Sequence, residues 1–291
     1  MRLQSDTAAV PITVLIAAMF CFQFGAVIAK GMFPAVGAAG TTALRMGLAS
    51  LMLLAVWRPW RMRLRPREMR VIIAYGLAMG CMNLCFYFSL RSIPLGIAVA
   101  LEFAGPLALA MAASRRAVDF LWILMAALGL LALLPLGLQS KPLDAAGVAY
   151  ALAAGIFWAL YIFFGRKAGA AHGGQTTALG MLVGAIVVVP VGAVQAGAHL
   201  LSPALLPAAL GVALLSSAIP YSLEMLAMPR LPTRTVGVLM SLDPALGALS
   251  GLVFLGERLS LIQWSAIACI MAASAGSAAT SRDTVPRLLP D

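Results

Sequence analysis

Four ionisable side chains stand inside long apolar runs: Arg45, Glu102, Glu224 and Asp243. An ionisable group at the centre of a membrane helix costs roughly 2.5–3.5 kcal/mol on insertion scales, so such groups usually line a cavity or pair with a partner. Their types say what they can bind. A guanidinium suits a carboxylate, and a carboxylate suits an ammonium. Arg45 and Glu102 can therefore hold a zwitterion between them, or pair with each other in a purely structural role. Glu102 can also carry a proton, as coupling to a proton gradient would need. Asp243 is either a second proton site or a cap for backbone groups freed by the adjacent Pro244. Glu224 lies at the end of its run, where it can snorkel to water.

The carboxylates sit in a repeated frame. Glu102 lies in Pro94-Leu-Gly-Ile-Ala-Val-Ala-Leu-Glu102-Phe-Ala-Gly-Pro106, and Pro232 to Pro244 repeats the proline spacing with Ser241 and Asp243 near its end. Prolines at 94, 106, 232 and 244 are expected to break the helical hydrogen-bond ladder. Matching breaks in two halves mark a binding region, unless they are kinks for packing. Asn83 and Tyr87 are four apart and share one helix face. Trp158 and Tyr161 are three apart, and Tyr221 follows Pro220. Aromatics with polar tips line small-ligand pockets or serve packing and interface anchoring.

The elements that must position these residues are membrane helices. Only 10% of the 291 residues are charged and 62% are hydrophobic, against about 25% charged in a soluble domain. A helix needs about 20 apolar residues to cross a bilayer. Ten runs meet that length: 10–29, 37–57, 71–90, 94–113, 119–138, 144–165, 175–195, 204–227, 233–254 and 259–279. The first is too long for a signal-peptide core and reads as an uncleaved helix. By a rise of 1.5 Å per residue, Arg45 and Glu102 lie about 12 Å from one face and Asp243 about 15 Å from the other.

Charge sets the orientation. With a cytoplasmic N-terminus, the inner segments hold Arg2, Arg58, Arg61, Arg63, Arg65, Arg67, Arg70, Arg115, Arg116, Arg166, Lys167, Arg230, Arg234, Arg282 and Arg287. The outer segments hold Lys30, Arg91, Lys141 and Arg258. That asymmetry satisfies the positive-inside rule and puts both termini in the cytoplasm. The net charge of +10 thus belongs to the topology, with no nucleic acid as partner; membrane lipid is the surrounding partner. Cys21, Cys81, Cys85 and Cys269 lie in apolar runs without metal-ligand spacing and read as packing residues. No catalytic triad, metal cluster or phosphate-binding loop is present in the sequence, so the reading is a non-enzyme with no cofactor and no ATP chemistry of its own.

The chain reads as two copies of one unit. Thr41-Thr-Ala-Leu-Arg45-Met46 recurs as Thr176-Thr-Ala-Leu-Gly180-Met181, and Phe20, Phe24 and Lys30 recur as Phe157, Tyr161 and Lys167. Trp122 recurs as Trp264. Residues 10–138 and 144–279 form five-helix repeats. An odd number of spans makes the second enter from the opposite side, the inverted arrangement of many transporters. Gly180 and Met240 stand where Arg45 and Glu102 would recur, so if Arg45 and Glu102 bind substrate, the first half dominates the site. Gly76/Gly80, Gly180/Gly184 and Gly247/Gly251 are small-residue pairs for close helix packing.

Several stretches carry a family resemblance: Ser92-Ile-Pro-Leu-Gly-Ile-Ala-Val-Ala-Leu-Glu102-Phe, Gly105-Pro106-Leu, Ser114-Arg-Arg116 with Asp119, Pro220-Tyr-Ser-Leu-Glu224-Met225, Leu231-Pro-Thr-Arg-Thr235 and Leu255-Gly-Glu257. The chain resembles the drug/metabolite transporter superfamily over about residues 10–280, within it the EamA-type carriers of the threonine/homoserine exporter group. The resemblance implies ten transmembrane helices and export of L-threonine, L-homoserine and related amino acids across the bacterial inner membrane, driven by protons. A broader metabolite or drug exporter of the same fold is the alternative; a membrane enzyme or a scaffold fits the isolated intramembrane charges less well. The oligomeric state is not legible.

Overall fold

In the computed structural model, residues 5–62, 64–112, 117–134, 143–227 and 230–280 are described. Arg2, Arg63, Arg115, Arg116, Lys141, Arg282 and Arg287 of the charge argument, and Ser114 of the resemblance, lie outside them. Every regular element among the described residues is helical. The chain opens with α1 (Ser5–Trp57), 53 residues in two arms that meet at Gly37. Gly37 has φ 68° and ψ 176°, a conformation open to glycine and strained for other residues. The hydroxyls of Thr41 and Thr42 donate to the carbonyls of Gly37 and Ala38 at 2.8 and 2.7 Å, reinforcing the start of the second arm.

The next elements are α2 (Pro66–Ser89), α3 (Leu95–Ala112), α4 (Ala117–Leu133), α5 (Ala145–His172) and α6 (Gly174–Ala196). The stretch after α6 is composite: 3-10 turns at Gly197–Leu201 and Pro203–Leu205, α7 (Leu206–Ala213), a π turn (Leu214–Ala218) and α8 (Ile219–Ala227). Then come α9 (Thr233–Met240), α10 (Asp243–Leu255) and α11 (Leu261–Thr280).

Seven helical stretches among the described residues are long and apolar enough to cross a membrane, and two shorter apolar helices, Leu95–Leu109 and Phe120–Leu133, accompany them. The chain is an all-helical, multi-pass membrane protein. This differs in form from ten separate runs. The first two are one helical element bent at Gly37, and the ninth is split between α9 and α10.

The prolines also differ from expectation. Pro94 and Pro232 do not break helices. Pro94 immediately precedes α3, and Pro232 caps α9. The first N–H groups of a helix have no acceptor in the helix, so a proline there loses nothing. Pro106 lies within α3, and Pro244 stands in the first turn of α10, just after the Ser241-Leu242 interruption.

Helices from the earlier part of the chain pack on helices from the later part. α1 lies on α6, α2 on α5 and α6, α3 on α5 and α10, and α4 on α11. Small residues permit the closest crossings. A methyl group at Gly80 would meet the Gly184 Cα at 3.0 Å, joining α2 to α6. A side chain at Gly105 would collide with the Gly155 backbone, and one at Gly155 with the Glu102 carbonyl, so α3 and α5 touch main chain to main chain beside Glu102. Such contacts drive association where lipid is as apolar as the helices. One buried core gathers Leu95, Ile97, Leu101, Ile267 and Ile270, and another gathers Met46, Leu53, Met79, Met181 and Val188. Phe120, Leu124, Val194, Val253 and Leu261 are exposed and suit a surface facing acyl chains.

Candidate functional site

The second arm of α1 carries Arg45 into the interior, where the residue is 5% exposed. Three groups receive its guanidinium. Nη1 donates to Asn83 Oδ1 of α2 at 2.6 Å, Nε to Ser217 Oγ at 3.1 Å, and Nη2 to the Ser216 carbonyl at 2.5 Å. Its Cζ lies 5.3 Å from the centre of the Tyr87 ring, one turn beyond Asn83 on α2. Asn83 is itself fixed, since its Nδ2 donates to the Met79 carbonyl at 2.8 Å.

All three acceptors are neutral. A buried cation without a hydrogen-bonded anion is costly, because the charge has left water and gained no counter-charge in contact. A guanidinium has five N–H donors in a planar fork. Three are used here, which leaves one on each terminal nitrogen for a further acceptor such as a carboxylate.

Glu102 is 8% exposed, with Arg45 and Asp243 as its charged neighbours. The two residues of the sequence-level zwitterion site are thus near each other but not paired: Arg45 makes its hydrogen bonds to neutral groups instead. Asp243 starts α10 and is also 8% exposed. Gln23 Nε2 of α1 donates to its backbone carbonyl at 3.4 Å, while its Oδ1 has no partner. Tyr87 Oη and Ser216 Oγ are likewise buried without a partner. Buried polar atoms are nearly always satisfied by protein, water or ligand. Tyr87 and Ser216 both touch Arg45, so two of these three atoms belong to residues in contact with one guanidinium.

The remaining sequence candidates sit around this centre in different ways. Trp158 of α5 meets Phe103, the neighbour of Glu102, edge-on at 5.6 Å between ring centres. Tyr161 stacks on Tyr75 at 4.8 Å, and Tyr221 meets Phe22 edge-on at 5.3 Å. Ser241 spends its hydroxyl on the Val238 carbonyl at 2.6 Å, inside its own turn. Glu224 is half-buried on α8. Sequence reasoning missed Ser216, Ser217 and Gln23; the one signal available was Pro220, four residues after Ser216.

A second polar feature ties separate parts of the chain. Glu257, before α11, pairs with Lys30 of α1 at 2.6 Å and accepts the Leu95 N–H at the start of α3 at 2.7 Å.

Comparison with known proteins gives four findings. The profile of the EamA-like transporter family matches residues 145–278. The threonine/homoserine exporter RhtA of Salmonella typhimurium strain SL1344 is 54% identical over 272 residues, 94% of this chain and 92% of that protein. RhtA of Escherichia coli K12 is 53% identical over the same shares. One solved crystal structure, 18% identical, superposes with a TM-score of 0.59 over 94% of this chain and 97% of its own; it speaks to the fold alone.

Proposed function

This chain belongs to the EamA-like transporter family, and from that premise we propose that it exports L-threonine, L-homoserine and related amino acids across the bacterial inner membrane. Export is driven by protons and proceeds by alternating access. The observation that carries this reading is Arg45: a buried guanidinium with neutral partners and a free pair of N–H donors.

The chemistry follows from the charges. The substrate carboxylate takes the two free N–H groups of Arg45. The substrate ammonium goes to Glu102, with Asp243 as the second carboxylate nearby. Tyr87 Oη and Ser216 Oγ offer hydroxyls to the polar parts of the ligand. Protonation of Glu102 removes the charge that holds the ammonium, so proton entry and substrate release alternate at one carboxylate. No cofactor takes part.

The architecture in this proposal is ten spans. The two arms of α1 count separately, and α3 and α4 are short spans. Residues 10–138 and 144–279 are inverted repeats, with both termini cytoplasmic. Packing of α2 on α5 and of α1 on α7 and α8 supports this, since these contacts exchange under the repeat, while α3 on α10 and α4 on α11 map onto themselves. A site between repeats can then face either side as one repeat rocks on the other.

Purified protein in liposomes tests the proposal. Under an imposed proton gradient, labelled threonine should move, and unlabelled homoserine should compete while threonine methyl ester, which lacks the carboxylate, should compete far more weakly. Movement that the ester blocks as well as homoserine does would contradict the role of Arg45. Cationic drugs moving in place of amino acids would establish the broader exporter.

A further inference from the structure

We infer that Pro220 is a positioning residue for Arg45: it shapes the π turn Leu214–Ala218 so that a main-chain carbonyl is free to seat the guanidinium. In a regular α-helix the carbonyl of residue 216 would accept the N–H of residue 220. Residue 220 is proline and has no N–H to give. The helix widens here instead, and the Ile219 N–H reaches back five residues to the Leu214 carbonyl. Single π turns of this kind recur at functional sites.

The freed Ser216 carbonyl accepts Arg45 Nη2 at 2.5 Å, and the next residue, Ser217, accepts Nε through its hydroxyl at 3.1 Å. The turn therefore holds one edge of the guanidinium while Asn83 holds Nη1 from α2. The turn is itself seated against the first arm of α1. A side chain at Gly25 would collide with Ser216 Oγ and come within 2.8 Å of the Ser216 nitrogen. With three N–H groups fixed from two elements, the direction of the remaining two is fixed as well. Pro220 need touch no substrate to set that direction; it acts through the Ser216 carbonyl. The inference rests on the reading of Arg45 as the group that binds the substrate carboxylate.

The test is Pro220→Ala, which supplies an N–H that competes with Arg45 for the Ser216 carbonyl. In liposomes the KM for threonine should rise about tenfold, the order expected when one charge-assisted hydrogen bond is loosened. The change should fall on KM rather than kcat. Inhibition by threonine amide, which has no carboxylate, should move far less than inhibition by unlabelled threonine. An unchanged KM, or equal weakening for threonine and its amide, would overturn the inference. Ser217→Ala, which keeps Pro220 and removes only one acceptor, should raise KM in the same direction by a smaller factor. It carries the test if Pro220→Ala does not fold, and an unchanged KM there overturns the inference too. Arg45→Gln separates the two levels. If it leaves threonine transport intact, the site reading fails and this inference with it. If it abolishes transport while Pro220→Ala changes nothing, this inference alone fails.

Discussion

Arg45→Lys keeps the positive charge at the site and removes the fork that carries it. Arginine here spends three N–H groups on Asn83 Oδ1, Ser217 Oγ and the Ser216 carbonyl and keeps two free. Lysine has three N–H groups on one nitrogen. An ammonium cannot serve α2 and the π turn and still present a parallel pair to a carboxylate. In the proposed mode of binding, the substrate contact drops from two charge-assisted hydrogen bonds to at most one. A hydrogen bond to a charged group is worth about 1.5–3 kcal/mol, and each 1.4 kcal/mol is about tenfold in affinity. The KM for threonine should therefore rise about 10- to 100-fold, measured as initial rates of labelled threonine movement in liposomes. At least one buried acceptor also loses its donor, which costs about 1–3 kcal/mol of stability, so a thermal melt in detergent should shift downward in parallel. A KM within about twofold of the parent protein, with the melt lowered, would refute the reasoning: Arg45 would then be a structural clamp and no more.

Three further outcomes follow from the packing. Glu257→Gln keeps an acceptor for the Leu95 N–H but loses the charge that meets Lys30, whose side chain is 25% exposed against 13% for Glu257; a loss of about 0.5–1 kcal/mol is expected, read as a small fall in melting temperature that salt reproduces in the parent protein. Gly80→Val inserts a branched side chain where even a Cβ lies 3.0 Å from the Gly184 Cα, so α2 and α6 must part; a cost of about 1–3 kcal/mol is expected in the same melt, and an unchanged melt would contradict the crossing. Asp144, just before α5, is held below the usual aspartate range by the Ser92 hydroxyl and then by the Gly147 N–H. Because its pKa is lowered in the fold, this stabilisation is present above the ordinary aspartate pKa and fades as pH falls through the lowered value. Asp144→Asn should remove that part of the acid-side dependence from a pH series of melts.

What the sequence made legible, and what it did not, divides along physical lines. Apolar runs and intramembrane charges are local signals; they placed the helical stretches but not their bends and breaks, and they brought out Arg45, Glu102 and Asp243. Small-residue pairs such as Gly76/Gly80 pointed to close crossings because a missing side chain has one evident use in a membrane. The partners of Arg45 were not legible. Asn83 comes from α2, and Ser217 and the Ser216 carbonyl come from the π turn far later in the chain; a carbonyl, moreover, has no side-chain signature. Pro220 held the clue, but proline reads as a break before it reads as a freed acceptor one turn upstream. Pro94 and Pro232 misled in the opposite sense, since a proline that begins a helix looks the same in sequence as one that interrupts it. Gly37 shows a third limit: two runs separated by a short gap became one helical element bent at a single glycine, because the connection was short enough to stay helical.

In the proposed mechanism, proton-driven amino-acid export passes through the charges at Arg45 and Glu102. The most direct measurement is labelled-threonine movement in liposomes with and without a proton gradient, comparing the parent protein with Glu102→Gln at matched amounts of folded protein. Gradient-driven threonine movement is expected in the parent protein, with loss of its response to the gradient in Glu102→Gln. Equal, gradient-dependent movement in both would contradict it and move the coupling to Asp243.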